Sequence, residues 1–417
     1  MVEKAPFLIL LLAGLLIAAL FLSRLSERLR MPDILWFMLM GLLLGPSGFD
    51  LLPGSEEVLG NNSLLLAAVG IVLYEAGVRT RLDRVKRHMV SIGLLVTAGL
   101  LLTALLLGVL AKVVFGMTFY QGLLLGAILS TTDPASILPI LRRLPLPESV
   151  TGTLIAESAL GDVTGSMMTM FILSLAIPGA GFFGTMIPFV ASVFWGAGLG
   201  IVLGIAVKIL LTHGKLGIFR DNIPVLMISA LLAGFSLSLL LHGQTLLCAY
   251  LFGIMVGRMA EGSDTPGTVD RRSVIHDWTP LKTLNDLLSY LASFFIFFVM
   301  GTLIPRTPGG VSIFGILVFV LFLVLVIRPL VVFALVPLDR LSRFSVREIA
   351  FMAVVRETGI MAGALLGLAH AELPASAPLI VFMVVVSTVI IGSAGSAPIA
   401  RKLGFSTPVS DAERDRP

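Results

Sequence analysis

The sequence predicts an all-α polytopic membrane protein, with about 13 transmembrane helices arranged as two inverted six-helix repeats. Three observations carry this reading. Long apolar runs recur from Phe7 to Ile399 in a chain that is 57% hydrophobic and 13% charged, which excludes both a soluble globular domain and a disordered one. Basic residues cluster in every second loop. Two short spans share a glycine pattern, and two others carry a polar interruption at membrane depth. The ~10-residue alternation of a transmembrane β-barrel is absent.

The first run, Phe7–Leu22, has only Lys4 as a basic flank and no small-residue cleavage pattern, so it reads as a span and not a signal peptide. The next three are Ile34–Gly45, Leu64–Val78 and Ser91–Phe115. Tyr120–Leu141 and Thr151–Ile177 follow, then Gly184–Leu211, which joins the two halves. The second half has Ile223–Leu241, Thr245–Gly257, Leu284–Ile304, Ile313–Val336, Ile349–Leu368 and Pro378–Ala400.

Loops after odd-numbered spans carry the positive charge: Arg24, Arg28 and Arg30, then Arg79 to Arg87, then Arg142 and Arg143, and so on to Arg340, Arg343 and Arg347. Loops after even-numbered spans have almost none. The bias places the N-terminus outside and the C-terminus in the cytoplasm of the cell (inner) membrane. It also accounts for the net charge of +4, which therefore implies no nucleic-acid partner. The polar stretch Arg258–Lys282 reads as a connector, and the tail 403–417 is too short for a soluble regulatory domain. Cys248 is alone and the five histidines are scattered, so neither a disulfide framework nor a metal or redox cofactor is expected.

Met38–Gly45 (MLMGLLLG) in span 2 and Tyr250–Gly257 (YLFGIMVG) in span 9 place two glycines four apart near the span end. Spans 1–6 and 8–13 would then be repeats that start on opposite sides of the membrane. Gly-x-x-x-Gly also marks plain close packing between helices. In span 5, Thr132, Asp133 and Pro134 interrupt the apolar run; in span 12, Arg356, Glu357 and Thr358 do so. Proline has no N–H to donate, and broken helices at membrane depth are tolerated where they line a cavity. Crossed half-helices would bring opposite dipole ends together, with Asp133 offsetting the positive ends and Arg356 the negative ones.

Asp162 is the leading candidate for binding a cation or proton. It lies mid-span, one turn after Ser158 and on the same face. A carboxylate in apolar surroundings holds a proton more readily than one in water, so it can trade that proton for a cation. Glu157 points elsewhere around the helix, and a buried Glu157–Arg356 ion pair is expected to lock span 6 to span 12. Arg328, followed by Pro329, is expected to anchor or kink span 11. Glu75 reads either as a cation-attracting residue at a funnel mouth or as an interfacial charge. Glu357 balances one of the two arginines or adds a second titrating group.

Taken together, RLRMPDILWFMLMGLLLGPSGF, GIVLYEAGVRTRLDRVKRH, STTDPASILPIL, AESALGDV, VIRPLVVF and VVRETGIMAGALLG, in this order, resemble the monovalent cation/proton antiporters, in particular the NhaP-like sodium/proton exchangers of bacteria and archaea. The resemblance covers nearly the whole chain. It implies scaffold and dimerisation helices in 1–80 and 221–304, a transport core in 90–178 and 312–402, and a linking helix in 184–212. It implies a homodimer that works by elevator-type alternating access, exchanging H⁺ for Na⁺ or Li⁺, with K⁺ as the competitor, and no cofactor besides the transported ions. Carried over by motif, Asp162 would bind the ion, with Asp133, the Thr132 carbonyl and Ser158 completing the shell and Glu75 nearby; Glu157 would pair with Arg356.

The chain departs from the family pattern twice. Gly161 stands where the family has Asn in electroneutral members and Asp in electrogenic ones, which leaves one carboxylate and favours one proton per cation. Glu357 stands where many members have glycine. Two other classes are less well supported. An intramembrane aspartyl protease using Asp133 and Asp162 lacks its Gly-x-Gly-Asp, and an organic-anion carrier or channel would move solute without protons.

Overall fold

The computed structural model describes residues 5–29, 31–51, 62–80, 88–133, 144, 146–176, 181–212, 222–260, 279–307, 310–339 and 344–405. Among the described residues every regular element is helical. In chain order these are α1 (Ala5–Leu29), α2 (Asp33–Leu44), α3 (Asn62–Arg79), α4 (Met89–Phe115), α5 (Phe119–Ser130), α6 (Glu148–Ser174) and α7 (Gly181–Thr212). Then come α8 (Ile223–Leu240), α9 (Thr245–Ala260), α10 (Thr279–Thr302), α11 (Ile313–Leu338), α12 (Val346–Val354), α13 (Ile360–Ala369) and α14 (Ala377–Lys402). Spans 1 to 11 of the sequence correspond to α1 to α11, span 12 to α12 and α13 together, and span 13 to α14. The stretch of span 5 from Pro134 onward lies outside the described residues.

Six of these helices are long and apolar enough to cross a bilayer, and α7 turns Phe183, Ile187, Phe194 and Trp195 outward. Such a face suits lipid, and the protein is a multi-pass membrane protein. The largest buried cluster includes Leu124 and Ile128 of α5, Phe319 of α11, Phe351 of α12, Leu365 of α13 and Val385 of α14.

The two halves repeat each other in detail. α5 and α12 both open with a capping box, Thr118 with Gln121 and Ser345 with Glu348, so each start is fixed by reciprocal side-chain and backbone bonds. Each is preceded by a helix with a π turn, Leu95–Gly99 in α4 and Leu323–Ile327 in α11. In α11 the turn comes directly before Arg328-Pro329. The wider ring accommodates a proline that lacks an N–H and would otherwise press on the preceding turn.

The glycine patterns mark helix crossings. Gly41 of α2 meets Gly301 of α10, and a Cβ at Gly41 would collide with the Phe298 carbonyl oxygen and lie 3.1 Å from the Gly301 Cα. Gly253 of α9 meets Gly77 of α3 in the same way, against the Tyr74 carbonyl oxygen and 3.1 Å from the Gly77 Cα. One turn on, Gly45 packs on Thr302 and Gly257 on Val78. Span 2 thus meets span 10 in the register in which span 9 meets span 3. The repeat and the close packing are one feature.

Candidate functional site

α5 ends at Ser130 because Thr131 turns extended, with φ −62° and ψ 146°. A helix end leaves carbonyls without intrahelical partners, and here three of them meet side-chain donors. Ser130 Oγ donates to Ala127 O at 2.7 Å, Thr131 Oγ1 to Ile128 O at 3.0 Å, and Arg356 Nη2 to Leu129 O at 2.6 Å. Beyond the helix end, the Thr132 carbonyl accepts from Ser158 Oγ of α6. The guanidinium of Arg356 therefore sits at the negative end of α5.

The second interruption runs from Val355 to Gly359, between α12 and α13. It bonds directly to the first. Asp133 N donates to Glu357 O at 2.9 Å, and Ile360 N, at the start of α13, donates to Asp133 Oδ2 at 3.2 Å. Thr358 N donates to Thr388 Oγ1 of α14 at 3.2 Å. Asp133 thus offsets the positive end of α13 while Arg356 offsets the negative end of α5, each half serving the other's helix. Gly359 is required by proximity: a Cβ there would collide with the Asp133 carboxylate.

Asp162 faces this crossing from α6. It is 7% exposed, and its Oδ1 has no hydrogen-bond partner among the described residues. The Asp133 carboxylate is within electrostatic reach. Ser158 lies one turn earlier, and Gly161 approaches Thr132, whose Oγ1 would be 3.8 Å from a Cβ at that position. The cluster offers carboxylate, hydroxyl and backbone carbonyl oxygens, the donor set that suits hard cations and protons. Asp162, Asp133, Ser158 and Thr132 are brought together.

Two expectations change. Glu157 does not pair with Arg356. It takes a fork from Arg328, with Nη1 to Oε1 at 2.5 Å and Nη2 to Oε2 at 2.9 Å, and Arg328 Nη2 also reaches Met352 O at 3.3 Å. The physical reason is the end of α5: Arg356 is engaged by the Leu129 carbonyl, while Arg328, set by the π turn of α11, meets the carboxylate in parallel bidentate geometry. Arg356 still feels the charges of both Glu157 and Arg328. Glu75, expected nearby, is engaged by a cation of its own helix. Its carboxylate bonds Arg79 one turn later, and Arg79 reaches Asp286 Oδ1 of α10 at 2.9 Å.

Glu357 lies buried against α14, where a Cβ at Gly392 would collide with its Oε1. Sequence reasoning missed Tyr250 of α9. It lies within electrostatic reach of Asp162, and its hydroxyl is 3.2 Å from Thr80 Oγ1. In the sequence Tyr250 counted only as the first residue of a repeated glycine pattern.

A bundle of membrane helices in two repeats, with interrupted helices bonded to each other beside a buried carboxylate, has the architecture of a secondary transporter for small ions. Comparison with known proteins agrees. The chain belongs to the sodium/hydrogen exchanger family, whose transmembrane model matches residues 13–401. It is 25% identical over 350 residues to the K⁺/H⁺ antiporter NhaP of Alkalimonas amylolytica, covering 80% of this chain and 56% of that protein. It is 28% identical over 355 residues to Na⁺/H⁺ antiporter 1 of Methanocaldococcus jannaschii, covering 82% of this chain and 78% of that protein. The solved structure of the sodium proton antiporter MjNhaP1 from M. jannaschii at pH 8 shares the fold, with a TM-score of 0.83, 22% identity and coverage of 96% of this chain and 100% of that one. The chain spans about half the length of the K⁺/H⁺ antiporter it matches, 56%.

Proposed function

We propose that the protein exchanges H⁺ for a monovalent alkali cation across the membrane, with Asp162 carrying one or the other. The observation that supports this most is the carboxylate itself: buried on α6, with an oxygen that takes no hydrogen bond among the described residues, beside a second acid at the crossing of two interrupted helices. Such a group is costly in a bilayer, by roughly 2.5–3.5 kcal/mol on the insertion scale. It is neutral when it holds either a proton or an alkali cation. Thr132, Ser158 and Asp133 complete the site, and Glu75 with Arg79 and Asp286 forms a charged cluster outside it.

In this reading α4–α6 and α11–α14 move as the core, and α1–α3 with α8–α10 form the scaffold through which two copies dimerise. The single carboxylate of the Gly161-Asp162 pair favours one proton per cation. The N-terminus is outside and the C-terminus cytoplasmic. The test is proton flux in proteoliposomes: a pH gradient is set, and Na⁺, K⁺, Li⁺ or choline is added. Alkali cations should collapse the gradient in wild type, choline should not, and Asp162→Asn should not respond to any of them. A wild type that moves no protons with any alkali cation overturns the proposal.

A further inference from the structure

In the exchange reading, α4–α6 and α11–α14 move against α1–α3 and α8–α10. Between described residues, no hydrogen bond or ion pair joins the first set to the second. The polar bonds stay within each set. Arg79 meets Asp286 and Tyr290 meets Ala19 in one; Arg328 meets Glu157 and Ser91 meets Asp339 in the other. Glycine contacts divide the same way. Inside each set helices lock backbone on backbone: a Cβ at Gly41 would collide with the Phe298 carbonyl oxygen, and one at Gly126 of α5 with that of Ala104 of α4. Across the boundary the glycines of α13 meet side-chain ends instead. A Cβ at Gly363 would lie 3.0 Å from Met300 Sδ and 3.4 Å from Ile296 Cγ2 of α10, and one at Gly367 would collide with a methyl group of Leu65 of α3.

We propose that Gly363 and Gly367 are successive notches of a track, and that Leu65, seated at Gly367 in this structure, passes to Gly363 when the core shifts. This rests on the exchange reading above and its moving core. The step is then one helical turn, four residues at 1.5 Å each, or about 6 Å. The direction follows from where the site lies. Asp162 is within electrostatic reach of Tyr250, whose hydroxyl meets Thr80 just past the end of α3, whereas Leu65 is in the first turn of that helix. The longer way along α3 therefore leads towards Leu65. α13 starts beside Asp133 and has Gly367 at Leu65, so travel that way carries Gly363 to Leu65. Each notch holds an apolar tip by dispersion contacts alone. A hydrogen bond across the boundary would be broken at every step, leaving buried polar groups unsatisfied. A featureless boundary would give no resting position, whereas two packed arrangements give two.

The experiment uses the full chain in proteoliposomes in a Cys248→Ala background, which removes the one native thiol. Leu65→Cys is paired in turn with Gly367→Cys, Gly363→Cys and Leu365→Cys, the last on the far side of α13. Copper–phenanthroline oxidises the pairs, and mass spectrometry identifies the linked peptides. A disulfide forms only where the two Cβ atoms come within about 4.5 Å. The pairs with Gly367→Cys and Gly363→Cys should both link, and the pair with Leu365→Cys should not. Each link should stop cation-driven proton exchange, and reduction should restore it. An active protein that links position 65 only to position 367 overturns the proposal, as does exchange at the unlinked rate with that link in place. Leu65→Ala decides where a pair fails to assemble. Without the knob the core crosses from notch to notch more easily, so the maximal rate should rise severalfold with the KM for the cation unchanged. A maximal rate that stays the same overturns the proposal. Failure of the exchange reading looks different: no alkali cation moves protons in wild type.

Discussion

Arg328 and Glu157 meet fork to fork, buried between α11 and α6, at 2.5 and 2.9 Å. Removing one member of a buried pair leaves the other charged and unpaired, at a cost of about 3–5 kcal/mol. Arg328→Met and Glu157→Leu should each lower the unfolding temperature of the detergent-solubilised protein strongly, and the double variant should recover most of the loss. A cycle between Glu157 and Arg356 should show weaker coupling. Equal coupling in the two cycles would mean that Glu157 serves both arginines.

A Cβ at Gly359 would collide with the Asp133 carboxylate. Gly359→Ala should cost about 1–3 kcal/mol of stability through overpacking and should raise the apparent KM for the cation, because the collision falls on the acid itself. Gly363→Ala is the control, since its Cβ would meet the flexible Met300 side chain, with Sδ at 3.0 Å. A Gly359→Ala protein with normal KM would place Asp133 outside the binding step.

A proton and a cation that compete for Asp162 fix the sign of the pH dependence. Protonated Asp162 holds no cation, so acidification raises the apparent KM, by up to about tenfold per pH unit once the group is mostly protonated. Saturating cation should restore the rate. Measuring KM at several pH values checks this, and a KM that falls on acidification would contradict direct competition.

Ser158 Oγ donates to the Thr132 carbonyl. Ser158→Ala removes one hydrogen bond, worth about 1 kcal/mol net, so KM should rise about fivefold with little change in maximal rate. Ser158→Thr should keep the donor and most of the affinity. A loss confined to maximal rate would instead assign Ser158 to the moving step.

Much of this was legible in the chain because membrane helices write their limits in polarity. The interruptions at Asp133 and Arg356 could be read because polar groups at membrane depth have few other uses. The partner of Glu157 could not. A π turn rotates every residue that follows it, and nothing in Leu323–Ile327 marks one. Spans 2 and 9 announced their glycines, but the surfaces they pack on, at Gly301 and Gly77, carry no matching pattern. Tyr250 looked like any aromatic residue in an apolar run. Only the approach of α9 to α6 gives it a neighbour in Asp162.

In both glycine crossings the partner lies in the other half of the chain, Gly41 with Gly301 and Gly253 with Gly77. The helix ends behave alike, since Arg356 closes α5 and Asp133 opens α13. Neither half can therefore shelter its own interrupted helix. Each half is completed by contacts that only the other supplies. The same logic says that the two halves, made as separate chains, should reassemble only with each other.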